Sequence, residues 1–461
     1  MKTYNILQDI YGEINLPLDG LDELTLTGHE PALPSSFKVG TAAQTAISLS
    51  ALAANEVWHQ RSGRRQAIAC GMRHAAVEFR SERYMRIDGG PTPELWDKIA
   101  GTYQTADGRW LRLHTNFPHH RDGVLDILGC DYAREAVAEA LSQWTGQAFE
   151  DAAADRGLVA TMMRTEAEWR AHPQGRALDQ QPLISIERIG NAPARPLAAA
   201  ARPLSGVRVL DLTRIIAGPV CGRTLAAHGA DVMRVTAPHL PFVAALVTDA
   251  GRGKLSAQLD LNTDDGRANL ENLVGAADIF VQGYRPGGIA RWGFSPDEVA
   301  AINPGIIYVS LSAYGHEGPW AQRRGYDSLV QTASGINHGE AEAMGQDSPQ
   351  ALPCQALDHA SGYFMAAAAM ATLARRAKEG GSWHIRVSLA RTGRWLQSLG
   401  RVADGFDCAD PGLKAVLNLT EQTGSGFGRL TAVRHAAQMS DTPCHWARPA
   451  MPLGSHQPIW P

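Results

Sequence analysis

One acidic residue stands apart in this chain. Asp358 opens the stretch "DHASGYFMAAAAMATLARR", an alanine-rich run with no other carboxylate in it. An Asp just ahead of an apolar helix is first of all a helix cap, because its side chain accepts from the orphan amides of the first turn. The same placement suits a nucleophile. A carboxylate held dry near an activated acyl carbon can attack it, with helix N-terminal amides available to the oxyanion. Ala360, Ser361 and Gly362 are small enough to let a substrate approach the backbone. Local pattern leaves both readings open.

Basic residues gather in three further stretches: Arg252 and Lys254 in "DAGRGKL", Arg285 and Arg291 in "GYRPGGIARWGF", Arg323 and Arg324 in "AQRRGYD". Singly such side chains are mostly solvated. Grouped on successive loops they could pair with a pyrophosphate and a phosphomonoester through charge-assisted hydrogen bonds. His114, His119 and His120 in "HTNFPHHR" match no zinc spacing, so a solvated loop and no metal site are expected there. No GxSxG, HExxH or Walker motif occurs, which removes the serine hydrolase, zinc protease and P-loop classes. The loop "LTRIIAGPVCG" lacks GxGxxG, and the strand after it ends at Val235-Thr236 where a nicotinamide dinucleotide site wants an acid. Hydride transfer is therefore disfavoured, and Gly218 and Pro219 read as turn formers.

The elements that must carry these residues alternate. "GVRVLDL", "ADVMRV", "ADIFVQG" and "GIIYVSLS" read as strands, with a helix from about Val220 to His228 and another over "TDDGRANLENLVGA". That alternation predicts an α/β class with a doubly wound, Rossmann-like parallel sheet over 206–400, its ligand edge formed by the loops after 212, 235, 282 and 312. Residues 191–205, Pro- and Ala-rich, read as a linker. Ahead of it, 94–190 reads as a small α+β domain built on the hairpin "YQTADGRWLRLHTN", so the small domain comes first. Residues 1–93 carry an Ala-rich helix over 41–61. "SGRRQAIACGM" and "EGGSWHIRVSL" match weakly at an offset of 317 residues, which suggests a degenerate repeat of part of the large domain. The first copy has no acid between Glu30 and Glu56, hence no counterpart of Asp358. Residues 401–461 form a tail expected to pack back on the large or small domain.

Composition narrows the partners. A chain of 461 residues, 44% hydrophobic, with net charge −4 and a pI near 6.5, offers no basic excess for nucleic acid or an anionic membrane. The longest apolar run, "YFMAAAAMATLA", is well short of the roughly 20 residues that span a bilayer. Six scattered cysteines and an N-terminus without a secretory pattern fit reduced thiols in the cytoplasm.

In sequence and order, "GVRVLDLTRIIAGPVCGRTLAAHGADVMRV", "GKLSAQLDL", "ADIFVQGYRPGGIARWGF", "NPGIIYVSLSAYGHEGPW", "RRGYDSLVQTASG" and "ALDHASGYFMAAAAMATLARR" resemble the family III coenzyme A transferases of the CaiB/BaiF type. "GTYQTADGRWLRL" and "RTEAEWRAHPQG" resemble that family's small domain, which normally follows the large one. The resemblance implies an acyl-CoA:carboxylic acid CoA-transferase working as a homodimer, with no tightly bound cofactor and with acyl-CoA and a carboxylic acid as substrates. It implies that Asp358 forms a mixed anhydride and then an aspartyl-CoA thioester. It places CoA contacts on Ile216, Ala217, Lys254, Gly283, Tyr284, Arg285, Arg291, Arg324 and Tyr326. Thr236 and Ala237 stand where the family commonly has a glutamate and a basic residue, and the family's glycine-rich loop has no counterpart. Tyr326 replaces the histidine of the racemase version of the "GYD" motif, which favours transfer. An acyl-CoA isomerase or racemase, or an inactive CoA-binding member, is the alternative.

Overall fold

The computed structural model describes residues 3–461. After a helix over Thr3–Glu13 the chain runs through strand β1 (Leu24–Thr27), helix α1 (Val39–Ser62), strand β2 (Ile68–Gly71) and the short strand β3 (Arg86–Ile87). α1 is built from Ala, Ser, Thr and Leu, is buried from Val39 to Trp58 and stops at Gly63, whose φ of 72° is the left-handed C-cap that glycine adopts without strain. Strands β4 (Gly101–Gln104), β5 (Trp110–Leu113) and β6 (Ala160–Met162) form an antiparallel sheet. It is covered by helices that include α2 (Pro118–Leu128), over a core of Tyr103, Leu111, Leu113, Val124, Val137 and Phe149.

The large sheet has seven strands: β7 (Ser185–Gly190), β8 (Arg208–Leu212), β9 (Asp231–Thr236), β10 (Lys254–Gln258), β11 (Ile279–Gln282), β12 (Ile307–Ser312) and β13 (Ser382–Ser388). Their spatial order is β10-β9-β8-β11-β12-β13-β7, all parallel except β7. The chain winds outward from β8 in one direction and from β11 in the other, so a crevice opens between these two strands at their carboxyl ends. Helices α3 (Ala217–Ala227), α4 (Asp264–Gly275), α5 (Asp327–Ala333) and α6 (Ala356–Glu379) belong to this region. Strands β14 (Thr420–Ser425), β15 (Gly428–Val433) and β16 (Ala437–Met439) close the chain.

α6 is the axis of the molecule. It is apolar nearly all round, as a core helix must be, and it packs along α1 on one flank and α3 on another. Gly362 sets the second approach, since a Cβ there would fall 2.5 Å from the Ala217 carbonyl oxygen and 2.8 Å from Val220 Cβ. Among the described residues no helix is long and apolar enough to cross a membrane.

Two sequence expectations are corrected, and one strand the sequence reading did not assign is added. Ser185–Gly190, assigned above to the small domain, pairs antiparallel with β13 as the edge of the large sheet. Lys254–Gln258 is a strand, although a stretch rich in polar and small residues gave no strand signal. The tail does more than return to the large or small domain: β15 pairs with β3 and β16 with β2, both in the N-terminal segment. That segment and the tail fold together. The two helix-turn-strand units of the suggested repeat both form, but β2 lies in a separate three-stranded sheet with β1 and β16.

Candidate active site

A cavity of about 520 Å³ opens at the carboxyl ends of the large sheet. Leu212, Thr236, Gly283 and Ser312, the four strand ends singled out above, all line it. The loop after β8 is held by a buried framework. Lys254 Nζ donates to Asp211 Oδ2 at 2.7 Å and to the Pro219 carbonyl at 2.8 Å, and Thr213 donates to Asp211 through its amide (3.1 Å) and its hydroxyl. Within this loop Ile215 has φ 77°, a left-handed conformation costly for a β-branched residue and tolerated only where the surroundings impose it. Gly218 presses on Thr213, where a Cβ would fall 2.3 Å from the Thr213 Cβ. The result is that Ala217, the first residue of α3, presents its amide to the start of α6.

Asp358 is the third residue of α6 and is 6% exposed, at the cavity wall. It does not cap its helix. That task falls to Asp327, whose Oδ2 accepts the Asp358 amide at 2.8 Å, while the Asp358 carboxylate faces the Ala217 amide. Of the two readings offered for Asp358 on local pattern, the cap is thus set aside, because another residue takes that place. The start of α6 does not hold Asp358 readily ionised. Burial, then the charges of Asp327 and Glu82, push its carboxyl well above the usual range, against the single favourable amide of Ala217. A carboxylate so poorly solvated is a stronger base and nucleophile once ionised.

Five arginines, Arg214, Arg285, Arg291, Arg323 and Arg324, line the same cavity, and Asp358 is its one carboxylate among the described residues. Arg323 is partly occupied, 3.9 Å from Glu150. Burial and the neighbouring charges of Arg285 and Arg214 lower the Arg324 pKa, the signature of crowded cations awaiting an anion. Ala217, Gly283, Tyr284 and Tyr326 line the cavity as well, and burial raises Tyr326 to about 12, keeping its hydroxyl protonated. Ile216 is buried beside the wall and does not line it.

Lys254 leaves the proposed CoA set. Its side chain is 0% exposed and spent on Asp211 and Pro219, so it shapes the loop and reaches no ligand. Arg252 leaves the basic edge for the same reason, bonded to Asp249 Oδ1 at 2.9 Å and the Val433 carbonyl at 2.7 Å.

The histidines reverse their expectation. His114 and His120 are buried, and His119 and His120 line the cavity from the start of α2. His114 stacks on Tyr326 with ring centroids 4.1 Å apart. No sequence spacing announced this, because the packing of the small sheet against the large one creates it. Arg214 was missed although it sits in the first βα loop; its guanidinium lies over the Phe117 and Tyr284 rings. Burial holds His114 and His120 each to about 3, whereas the unfolded chain protonates them near the ordinary value of 6.5. Both pKa values are depressed on folding, so this stability is complete above the unfolded value and is lost as pH falls toward the folded one. The melting temperature is expected to fall steadily on acidification through that window, and less steeply in His120→Gln. Thermal melts at stepped pH check this.

The fold and site together gather five arginines around one buried carboxylate at the carboxyl ends of a parallel sheet. Residues 204–405 match the model of CoA-transferase family III. The chain is 32% identical over 322 residues to the acetyl-coenzyme A transferase nodX of Hypoxylon pulicicidum, covering 65% of this chain and 54% of that protein. It is 31% identical over 278 residues to the probable fatty acyl-CoA transferase Rv3272 of Mycobacterium tuberculosis, covering 55% of this chain and 69% of that one. A crystal structure of Rv3272 aligns with a TM-score of 0.40 and 34% identity, over 43% of this chain and 58% of that chain. The chain belongs to CoA-transferase family III. It spans about half the length of the Hypoxylon relative and just over two thirds of the mycobacterial one.

Proposed function

We propose that the chain transfers CoA from an acyl-CoA to a carboxylic acid through covalent intermediates on Asp358. The observation that carries this is the placement of Asp358 as the single carboxylate, among the described residues, of a cavity lined by five arginines, facing the Ala217 amide. An Asp358 oxygen attacks the thioester carbonyl, the C–S bond breaks, and a mixed anhydride and the CoA thiolate result. The thiolate attacks the aspartyl carbonyl, giving an aspartyl-CoA thioester and releasing the donor's carboxylate. An acceptor carboxylate then runs the two steps in reverse and regenerates Asp358. The arginines bind the phosphates of CoA through each thiolate stage, which keeps the leaving group in place for its return attack.

Incubation with a panel of acyl-CoAs, followed by hydroxylamine trapping and peptide mass analysis, is expected to show the adduct on Asp358. A panel that produces neither adduct nor CoA exchange sinks the proposal. Arg285→Ala and Arg324→Ala are each expected to raise KM for acyl-CoA about 10- to 100-fold, the worth of a hydrogen bond to a charged group. The effect should shrink as salt is added, which steady-state kinetics at two ionic strengths will show.

One observation favours a second reading. His119 and His120 face the cavity, and burial first, then neighbouring cationic groups, lowers both pKa values, so a neutral base is at hand for proton abstraction beside a thioester. An acyl-CoA racemase would then exchange the α-hydrogen of its substrate in D2O, and the transferase would not.

A further inference from the structure

We propose that Asp327 is a positioning residue for Asp358: by taking the amide of Asp358 at the start of α6 it leaves the Asp358 carboxylate to face Ala217 and the cavity. This rests on Asp358 being the nucleophile.

The geometry is closed on every side. Asp327 is 0% exposed. Its Oδ2 accepts the Asp358 amide at 2.8 Å. Its Oδ1 accepts from Gln331 Nε2 at 2.5 Å, and Gln331 Oε1 in turn accepts the Leu352 amide at 3.0 Å. Both oxygens are occupied and the side chain cannot swing away, so a second, fixed carboxylate stands behind the one that reacts.

The chain contains its own comparator. α1 starts as α6 does: the residue before each helix, Lys38 and Gln355, has nearly the same backbone, φ −78° and ψ 61° against φ −80° and ψ 66°. The two residues are separated by the repeat offset. At the same offset from Asp358 stands Thr41, whose amide donates to Glu30 Oε1 at 2.6 Å. A carboxylate therefore caps the third amide of both helices. Only at α6 does the capped residue carry a second acid, so capping is common to both copies and the opposed pair of carboxylates is particular to this one.

The surrounding groups set the direction. Glu82, from the short helix Ser81–Tyr84, adds negative charge toward Asp358 and lies 3.2 Å from His359 Nε2 on α6 itself. His359 and, from β5, Arg112 favour the ionised Asp327, while Tyr326 and Cys354 add neutral buried neighbours. Burial raises both aspartates, Asp327 to about 6. Removing the Asp327 charge takes away one of the two acids that oppose Asp358, so Asp358 should lose its proton at lower pH.

The test is the pH profile of kcat/KM from about pH 5 to 9 for the intact chain, whose acid limb reports the free enzyme's essential groups. In Asp327→Asn, which keeps an acceptor for the helix amides, the limb is expected to move down by about one pH unit or more. Asp327→Ser, a capping side chain without charge, should do the same and serves if Asn disturbs the Gln331 contact too far. Asp327→Ala, with no cap, should lose roughly 100-fold in kcat with little change in KM, the cost of a misplaced reacting group. Glu30→Gln should lower the melting temperature and leave the profile alone. A limb that stays at its wild-type pH in both Asn and Ser variants makes Asp327 a cap like Glu30 and overturns the proposal. An Asp358→Asn variant that keeps full activity overturns the nucleophile assignment instead, a result the Asp327 profiles cannot imitate.

Discussion

Asp358→Asn is expected to lose CoA transfer by about 10⁴-fold or more, the scale seen when a covalent nucleophile is removed from a site that otherwise stays assembled. The amide has nearly the same volume and still offers an acceptor to the cavity, so the cavity and its arginines are left as they were. It lacks the charge that attacks. Stability moves the other way. Burial, Asp327 and Glu82 all oppose ionised Asp358, and a raised pKa means that stability is full below the unfolded value of 3.8 and declines as pH rises from there toward the folded one. A neutral residue removes that penalty, so the variant should melt no lower than the wild type at neutral pH. Activity lost with melting temperature kept separates a catalytic role from a structural one. Asp358→Ala guards against slow hydrolysis of the introduced amide back to Asp. Undiminished transfer in both variants would mean that the carboxylate is not the reacting group.

The second large effect falls on stability. Lys254→Met leaves Asp211 buried with its partner charge gone, and breaking a buried ion pair from one side typically costs 3–5 kcal/mol, here about 3–5 kcal/mol of unfolding free energy. The pair is 0% exposed on both sides, so water cannot compensate. Thr213, whose hydroxyl and amide both point at Asp211, and Pro219, whose carbonyl takes Nζ, are the contacts through which the loss spreads to the loop carrying Ala217. Urea unfolding followed by tryptophan fluorescence should show the shift, and Asp211→Asn combined with Lys254→Met should recover a good part of it. KM for acyl-CoA measured on the folded fraction provides the contrast. A contact to CoA would raise it in Lys254→Met, whereas a purely internal role leaves it close to the wild-type value.

How legible the molecule was follows from the range of each interaction. Strand β8, the helix after it and the strand ends at 212, 235, 282 and 312 were readable, because buried parallel strands write themselves as short runs of Val, Ile and Leu. β10 was not, since its pairing with β9 supplies what its composition lacks. The pairing of β16 with β2 joins positions more than 350 residues apart and leaves no local trace. Among the site residues, Arg285, Arg291 and Arg324 could be found by counting charges on ligand-edge loops. Lys254 could not be separated from them, because a lysine beside glycines looks the same whether it faces water or a buried aspartate.

The sequence by itself determined that a parallel α/β sheet would form, where its ligand edge would lie, and that one Asp without a local rival would open an alanine-rich helix. These follow from side-chain periodicity and from residue type, which act over a few positions. Tertiary structure decided which carboxylate caps that helix and which one faces the cavity, that His119 and His120 belong to the site, and that the N-terminal segment brings Glu82 against it. Those outcomes depend on burial and on charges brought together from distant parts of the chain, and neither quantity exists until the chain has folded.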